Sequence, residues 1–308
     1  MISTRKKSGS GGLTLVELLV VLTILAILTT VAVVSTETVL QQGRFVATQR
    51  TLNAIEKAVL GAGILTSDDG PAPAGFVADV GRLPLDLSEL WANPLGLSLF
   101  RFQQAGAIEV DADHADPEVF VPCGWRGPYL QLPVGGNELL DGWGNPFLVL
   151  TAPSGELAVV RSLGADGQAG QTPEDPYSDE LQVAFMTDDP PLDRSRAIIR
   201  VTVWQRAEDG ELEVPTGAGS EHLFVRLFSP LEGGVGVEAS EAIPLDPALA
   251  VPPAVEFLEV PIGPHVLRAY VQQNAAPGST RLRNSLPLEI QVHPQRNLNW
   301  RLILPTPT

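Results

Sequence analysis

The sequence predicts an α+β protein in which a long N-terminal helix packs on a small antiparallel sheet and a C-terminal β-sandwich follows. Three observations predict this fold class. An uncharged apolar run from Leu18 to Thr36 continues into a helical stripe, turns rich in Gly and Pro bound short strands in the middle, and the last third alternates apolar with polar residues. A length of 308 residues is enough for two modest domains, each with its own core.

The N-terminus has the layout of a membrane anchor. A basic leader with Arg5, Lys6 and Lys7 precedes two glycines and the apolar run. About 20 apolar residues span a bilayer as a helix, and positive charge keeps the leader in the cytoplasm. A cleaved secretory signal has a shorter apolar core, whereas this run continues into helix-compatible sequence. We therefore predict a retained, single-pass transmembrane segment at about residues 13–36.

Glu17 lies at the start of this run, where an unpaired ionisable group costs on the order of 3 kcal/mol. The surrounding segment GLTLVELL, residues 12–19, resembles the class III signal of type IV pilins and type II secretion pseudopilins. The resemblance implies a leader of residues 1–12, cleavage by a prepilin peptidase between Gly12 and Leu13, and methylation of the new N-terminus. Leu13 stands where the family usually has Phe.

The resemblance also implies a role for Glu17 and a set of partners. As the fifth mature residue, its carboxylate meets the N-terminal amine of a neighbouring subunit, because a buried amine and a buried carboxylate are tolerable only as a pair. The protein is then expected in the inner membrane with its C-terminal domains in the periplasm, assembled into a periplasmic filament. Expected partners are the membrane, prepilin peptidase, the inner-membrane assembly platform and other pseudopilins, in a homo- or hetero-filament. The alternative is an ordinary anchor with an incidental glutamate.

The helix pattern continues beyond the membrane segment. Phe45, Leu52, Ile55, Val59 and Leu60 form one apolar stripe, and two glycines then supply a stop signal. The sequence therefore predicts one helix over residues 13–61, whose second half packs on a globular head at residues 62–187.

Three motifs in the head follow one another in a characteristic order: WRGPYL at 125–130, DGWGNPF at 141–147 and SLGADG at 162–167. Their order and spacing resemble the head of the major pseudopilin of type II secretion, and the resemblance covers roughly residues 9–185. Physically, the first two motifs are turns that set the angle at which strands begin. Residues 148–150 and 156–161 are expected to form a hairpin, so the head should hold a small antiparallel sheet.

The loop SLGADGQAGQTPEDPYSD, residues 162–179, is the best candidate for a ligand site. From spacing alone it is either a solvated acidic loop or a site for a hard cation, since it lacks the regular EF-hand spacing. The corresponding loop of the family binds calcium. That resemblance implies Asp166 and Asp175 as carboxylate ligands and Leu163 as a carbonyl ligand, with Ser178 or Asp179 completing the shell. The family's glycine-rich run is replaced here by Gln-Thr-Pro-Glu at 171–174.

The composition changes at about residue 188, where DDPPLDRSR is predicted to be a polar linker. Beyond it, residues 188–308 are expected to form a β-sandwich, either immunoglobulin-like or transthyretin-like. The predicted strands are Ile199 to Gln205, His222 to Phe228, Val255 to Val260, Val266 to Val271, Leu286 to Val292 and Leu298 to Leu304.

Composition and motifs exclude several functions. Asp and Glu number 36 against 20 Lys and Arg, a formal net charge of -16 that argues against a nucleic-acid partner. The single cysteine, Cys123, excludes an intrachain disulfide and is expected to be a packing residue. The four histidines lack metal-ligand spacing, and His265 is expected near the surface or as a cap. With no nucleophile elbow or phosphate loop either, we expect no enzyme.

The sequence favours two functions. The first is a structural pseudopilin subunit of a type II secretion-like filament. The alternative is a minor type IV pilin or tip subunit whose sandwich binds a partner. A plain membrane-anchored receptor is a third class, and it predicts no removal of the leader.

Overall fold

The computed structural model describes residues 14–61, 75–105, 116–169, 177, 180–188, 191–217, 220–246, 250–276, 280–293 and 297–306. The predicted fold class is confirmed: a long N-terminal helix is followed by a chain that is mostly β-strand, arranged in several sheets. The predicted leader, with Gly12 and Leu13, lies outside these residues.

The helix α1 (Leu15–Leu60) contains 46 residues without a break. Leucine, alanine and glutamine are good helix formers, and they outweigh the many β-branched residues in its first half. The helix ends at Gly61, whose positive φ of 91° suits a residue without a side chain. No helix within the described residues combines the length and the apolar character that a membrane span needs.

The head packs a small antiparallel sheet against the second half of α1. Its helical pieces are α2 (Phe76–Val80) and a 3-10 helix (Leu87–Leu90), and its strands are β1 (Arg101–Ala105), β2 (Asp116–Cys123), β3 (Leu148–Thr151), β4 (Leu157–Ser162) and β5 (Leu181–Ala184). Strands β3, β4 and β5 form one sheet, and β1 pairs with β2 in another. Ile55 and Val59 of α1 are fully buried with Leu157 of β4 in the head core. The amphipathic stripe of α1 therefore supplies one wall of that core.

The segment predicted to be a polar linker is instead a small hairpin, so that prediction is wrong. Strand β6 (Met186–Asp188) pairs with β7 (Pro191–Asp193). Just after the hairpin, the Arg194 guanidinium forms an ion pair with Glu56 of α1 and donates to the Ala184 carbonyl over 3.2 Å. These contacts order the segment because they tie it to two elements of the head.

The C-terminal part is a sandwich of two sheets. Its strands are β8 (Arg196–Arg206), β9 (Leu212–Glu213), β10 (His222–Leu231), β11 (Gly234–Ala239), β12 (Ile243–Pro244), β13 (Ala254–Pro261), β14 (Gly263–Gln272), β15 (Arg281–Asn284), β16 (Leu288–Val292) and β17 (Asn297–Leu304). One sheet has the order β13-β8-β17, with β9 on β8. The other has the order β11-β10-β14-β15, with β12 on β10 and β16 on β14. Strand β17 runs parallel to β8, and the inward residues of both sheets form one core.

The head and the sandwich share a buried interface. Val121 and Cys123 of β2 pack with Phe228, Val266 and Tyr270 of the sandwich, and all are nearly or fully buried. Cys123 is thus a packing residue within this interface, and burial raises the pKa of its thiol to about 11. The head and the sandwich therefore form a third, smaller core together, at the interface between them.

A buried ion pair crosses the same interface. The Arg268 guanidinium on β14 donates to both carboxylate oxygens of Asp116 on β2, over 2.7 and 2.9 Å. It also pairs with Glu118, and the Tyr270 hydroxyl donates to Asp116. The side chains of Arg268 and Asp116 are 3% and 2% exposed. A buried charge needs such a partner, so the pair fixes how β2 meets β14.

His265 lies on β14 and is 1% exposed, so the expectation of a surface or capping histidine was wrong. Because the Pro261 carbonyl only accepts, Nε2 of His265 carries the proton and donates over 2.7 Å, while Nδ1 accepts from the Ser229 hydroxyl over 2.9 Å. Burial lowers the pKa of His265 to about 4. The histidine is therefore a neutral structural residue that connects β10 to the end of β13.

Arg268→Met tests the buried ion pair. The substitution leaves Asp116 buried without its cation, so the free energy of unfolding should fall by about 3–5 kcal/mol, as measured by chemical denaturation of the full chain in detergent. Arg200→Met is the matched control, because Arg200 pairs with Glu256 on the exposed face of the sandwich and its loss should cost about 1 kcal/mol or less. Equal losses for the two variants would contradict the role given to Arg268.

Candidate functional site

The first half of α1 exposes its apolar side chains. Between Leu15 and Leu28 the large apolar residues are 46% to 80% exposed, and the upper value belongs to Leu15 itself. Soluble monomers rarely leave so large a contiguous apolar surface in water. This part of α1 therefore needs cover from outside the chain, either lipid or the helices of other subunits.

Glu17 closes the N-terminus of α1 in a capping box with Thr14. The Glu17 backbone N–H donates to the Thr14 hydroxyl oxygen over 3.3 Å, and the Glu17 carboxylate accepts from the Thr14 N–H, also over 3.3 Å. The carboxylate of an exposed residue thus reaches back to the second residue after the predicted cleavage site. Its proposed partner, an amine on a neighbouring subunit, lies outside a single chain. Sequence reasoning missed Thr14, although the T-x-x-E pattern is the signature of this cap.

The turn at 141–147 docks the second half of α1 onto the head. The Gly142 N–H donates to the Thr48 hydroxyl oxygen over 2.8 Å, and the Trp143 indole N–H donates to the Gln41 side-chain oxygen over 2.7 Å. A Cβ on Gly142 would lie 2.1 Å from the Arg44 carbonyl oxygen. Gly is therefore required here, because the turn and the helix backbone are in direct contact.

The Asp141 carboxylate organises that turn and ties it to the loop at 162–167. It accepts from the N–H groups of Trp143 and Asn145 over 2.9 and 2.8 Å, and from the buried Ser162 hydroxyl over 2.7 Å. The Asn145 side-chain amide then donates to the Gly164 carbonyl over 3.2 Å. Two motifs that stand apart in the sequence therefore form one hydrogen-bonded unit.

The structure describes part of the predicted calcium ligand set. Leu163 and Asp166 are described, whereas Asp175, Ser178 and Asp179 lie outside the described residues. No group of three potential ligands among His, Cys, Asp and Glu occurs in the part of the chain that the structure describes. The structure therefore tests the loop's framework and leaves the full ligand set as a prediction.

The described part of the loop contains two oxygen donors of the predicted ligand set. These are the Leu163 carbonyl and the Asp166 carboxylate, which accepts a hydrogen bond from the Gln168 N–H over 3.0 Å. Calcium takes carboxylate and carbonyl oxygens of this kind, offered by tight glycine turns. Leu163 and Asp166 thus offer the kinds of oxygen that calcium takes, and the site itself stays a prediction.

Tyr177 holds the far side of this loop against α1. The Ala165 N–H donates to the Tyr177 carbonyl over 2.9 Å, and the Tyr177 ring meets Phe45 of α1 edge-on, with centroids 6.1 Å apart. Phe45 was predicted to belong to the apolar stripe, and here it contacts the loop rather than the core. A change in the conformation of the loop at Tyr177 would therefore alter a direct contact with α1.

The WRGPYL motif holds α2 in place within the head. The Tyr129 hydroxyl donates to the buried Asp79 carboxylate over 3.1 Å, and Arg126 forms an ion pair with the same group. Burial raises the pKa of Asp79, while Arg126 and Tyr129 oppose the rise. Asp79 lies on α2, which meets the sandwich through Ala78 and Gly263. Each of the three head motifs thus makes a specific structural contact. WRGPYL contacts α2, the 141–147 turn contacts α1, and the 162–167 loop contacts the 141–147 turn.

A family model described as the prokaryotic N-terminal methylation motif matches residues 7–33. The chain carries a prepilin-type N-terminus. The matched range includes Gly12, Leu13 and Glu17, and it supports a membrane-anchored, type IV pilin-like protein that a prepilin peptidase processes. No curated protein and no solved structure matches the chain significantly.

Gly142→Ala tests the docking of α1 on the head. The new methyl group collides with the Arg44 backbone, so we expect a loss of about 1–3 kcal/mol in the free energy of unfolding. Gly43→Ala is the matched control, because a Cβ there meets nothing within 4 Å and alanine favours the helix by roughly 0.5–1 kcal/mol. Thermal unfolding of both variants in detergent measures the difference, and a Gly142→Ala variant as stable as the parent would refute the contact.

Proposed function

We propose that this prepilin-type protein is a structural, non-catalytic subunit of a type II secretion-like periplasmic filament, a pseudopilin. The observation that carries the proposal is the exposed apolar half of α1 directly after a prepilin-type N-terminus. Before assembly this half would lie in the inner membrane, and in the filament it would pack against the same helix of other pseudopilins. The order of the three anchoring motifs supports the secretion branch.

Glu17 would supply the assembly contact. Its carboxylate already lies at the positive end of α1, next to the residue that cleavage would make the second of the mature chain. In the filament it would exchange the capping hydrogen bonds with Thr14 for an ion pair with the Leu13 amine of a neighbour. Such a pair offsets the cost of placing each charge in an apolar setting. Prepilin peptidase and the inner-membrane assembly platform are the machinery that this route requires.

Calcium would stabilise the head's loop. Leu163 and Asp166 would bind it together with Asp175 and with Ser178 or Asp179, and the ion would neutralise carboxylates that otherwise repel one another. Because Tyr177 of this loop packs on Phe45 of α1, an ordered loop would hold a defined surface beside the helix. The ion's role is thus structural.

A minor type IV pilin or tip subunit is the second candidate, and the size of the head favours it. The sandwich is joined to the head through a buried core, so the two would form one bulky unit on every copy in a filament. A sparse or tip position accommodates that width more easily. Deleting the gene separates the two: a secretion defect indicates the pseudopilin, whereas loss of adhesion or twitching with intact secretion indicates the minor pilin.

Glu17 variants test assembly separately from capping. Glu17→Gln keeps the side-chain acceptor of the capping box but removes the charge, and Glu17→Ala removes both. We expect both variants to be cleaved normally and to form no filaments, as measured by electrophoretic mobility and by recovery of sheared filaments. Thr14→Val is the matched control, because it weakens the cap by about 1 kcal/mol yet keeps the carboxylate and should assemble. Normal filaments from Glu17→Gln would show that the charge is dispensable.

The calcium proposal predicts a specific thermal shift. Calcium at about 100 times its dissociation constant stabilises a binding protein by roughly 2.7 kcal/mol, so the full chain in detergent should melt at a higher temperature. Asp166→Asn should abolish most of this shift, whereas Glu208→Gln, which removes an equal charge from an exposed turn of the sandwich, should keep it. A shift that magnesium reproduces, or that survives in Asp166→Asn, would contradict the site.

A further inference from the structure

The sandwich has an open groove along its last strand. The groove has a volume of about 600 Å³ and lies between β17 and the turn that joins β15 to β16. Its apolar lining includes Leu286, which is 85% exposed, and Ile303, which is 37% exposed. An apolar side chain that is so exposed beside a concave surface gains from being covered.

Strand β17 offers an unused backbone edge to this groove. It pairs with β8 over its whole length, from Asn297 opposite Ile198 to Leu304 opposite Gln205. On its other side it pairs with no strand among the described residues, and no further hydrogen bond between their backbones reaches it. A strand edge of this kind is a template for one more strand.

The charge of the groove is opposite to that of the protein. Arg206 and Arg301 line it, and no described residue of the lining is acidic. Arg301 also stacks over the Trp204 ring, with its guanidinium carbon 5.3 Å from the centroid, which favours this position of its side chain. The groove is thus locally positive on a chain of net charge -16.

We propose that this groove binds an extended, acidic segment of a partner protein, which adds to β17 as a further strand. Backbone hydrogen bonds to β17 would supply affinity, and apolar side chains on one face of the segment would cover Leu286. Carboxylates on the other face, which lies on the side of the sheet shared by Arg301 and Ile303, would meet Arg206 and Arg301, which gives selectivity. The proposal concerns the sandwich alone and holds for either kind of filament.

A second copy of this chain fits the groove less well than an acidic partner. Two-fold pairing of β17 with β17 would bring the same edge from each copy together. Such a pair would place Arg301 of both copies on the shared edge, and β17 (NLNWRLIL) brings no carboxylate to meet it. The charge of the groove therefore favours a different chain.

The test uses a labelled eight-residue peptide that alternates valine and glutamate, matched to the eight residues of β17. Fluorescence anisotropy measures its binding to the full chain in detergent. We expect Arg206→Glu and Arg301→Glu each to weaken binding about fivefold, and the double variant to prefer a valine–lysine peptide. Arg101→Glu, an exposed charge reversal on β1 of the head, is the matched control and should leave binding unchanged.

A second peptide tests the backbone mode. The valine–glutamate peptide with alternate amide nitrogens methylated keeps its side chains but loses donors to β17, so it should bind at least about tenfold more weakly. No binding of the parent peptide, equal binding of its methylated form, or equal binding of the lysine peptide to the unmodified chain would overturn the proposal. Self-association of the full chain that Leu286→Lys abolishes would assign the groove to a second copy and overturn it as well.

Discussion

The structure depends on how one helix divides between two environments. The second half of α1 is buried in the head core, and the Gly142 turn is pressed against its backbone at Arg44. This docking leaves the first half of α1 projecting, with apolar residues that nothing in the described chain covers. Exposing this much apolar surface to water is unfavourable. The first half of α1 is therefore expected to be covered by lipid or by other copies of the helix.

The remaining contacts transmit that arrangement through the head. Asp141 and Ser162 join the docking turn to the acidic loop, and Tyr177 returns from the loop to α1. Elsewhere in the head, the ion pair of Asp79 with Arg126 joins α2 to the WRGPYL turn. The ion pair of Arg268 with Asp116 joins the head to the sandwich. The chain therefore connects the apolar helix α1, the acidic loop and the sandwich with its unpaired strand edge through short, specific contacts.

Much of the fold could be predicted because it is periodic. Apolar runs and alternation located α1 and six strands of the sandwich, although β9, β11, β12 and β15 were missed. Strands β9 and β12 have only two residues each, too few to show a period, and β11 contains two glycines, which weaken a strand pattern. Contacts between distant residues could not be predicted: Arg268 meets Asp116 across 152 positions, and Gly142 meets Thr48 across 94. The linker prediction failed for the same reason, since Glu56 orders that segment from far away in the chain. At the site, the motif match over residues 7–33 supports the prepilin-type N-terminus, while the individual roles of Gly12, Leu13 and Glu17 and the ligand set of the loop still rest on resemblance.

The central claim is that the N-terminus is processed as a prepilin. The most direct measurement is the intact mass of the full chain, extracted from membranes after expression with and without a prepilin peptidase. The account predicts that the peptidase removes residues 1–12 and that the new N-terminus gains one methyl group, so that the mass falls by the corresponding difference. An unchanged mass in the presence of an active peptidase would contradict the claim, and the filament role would fall with it.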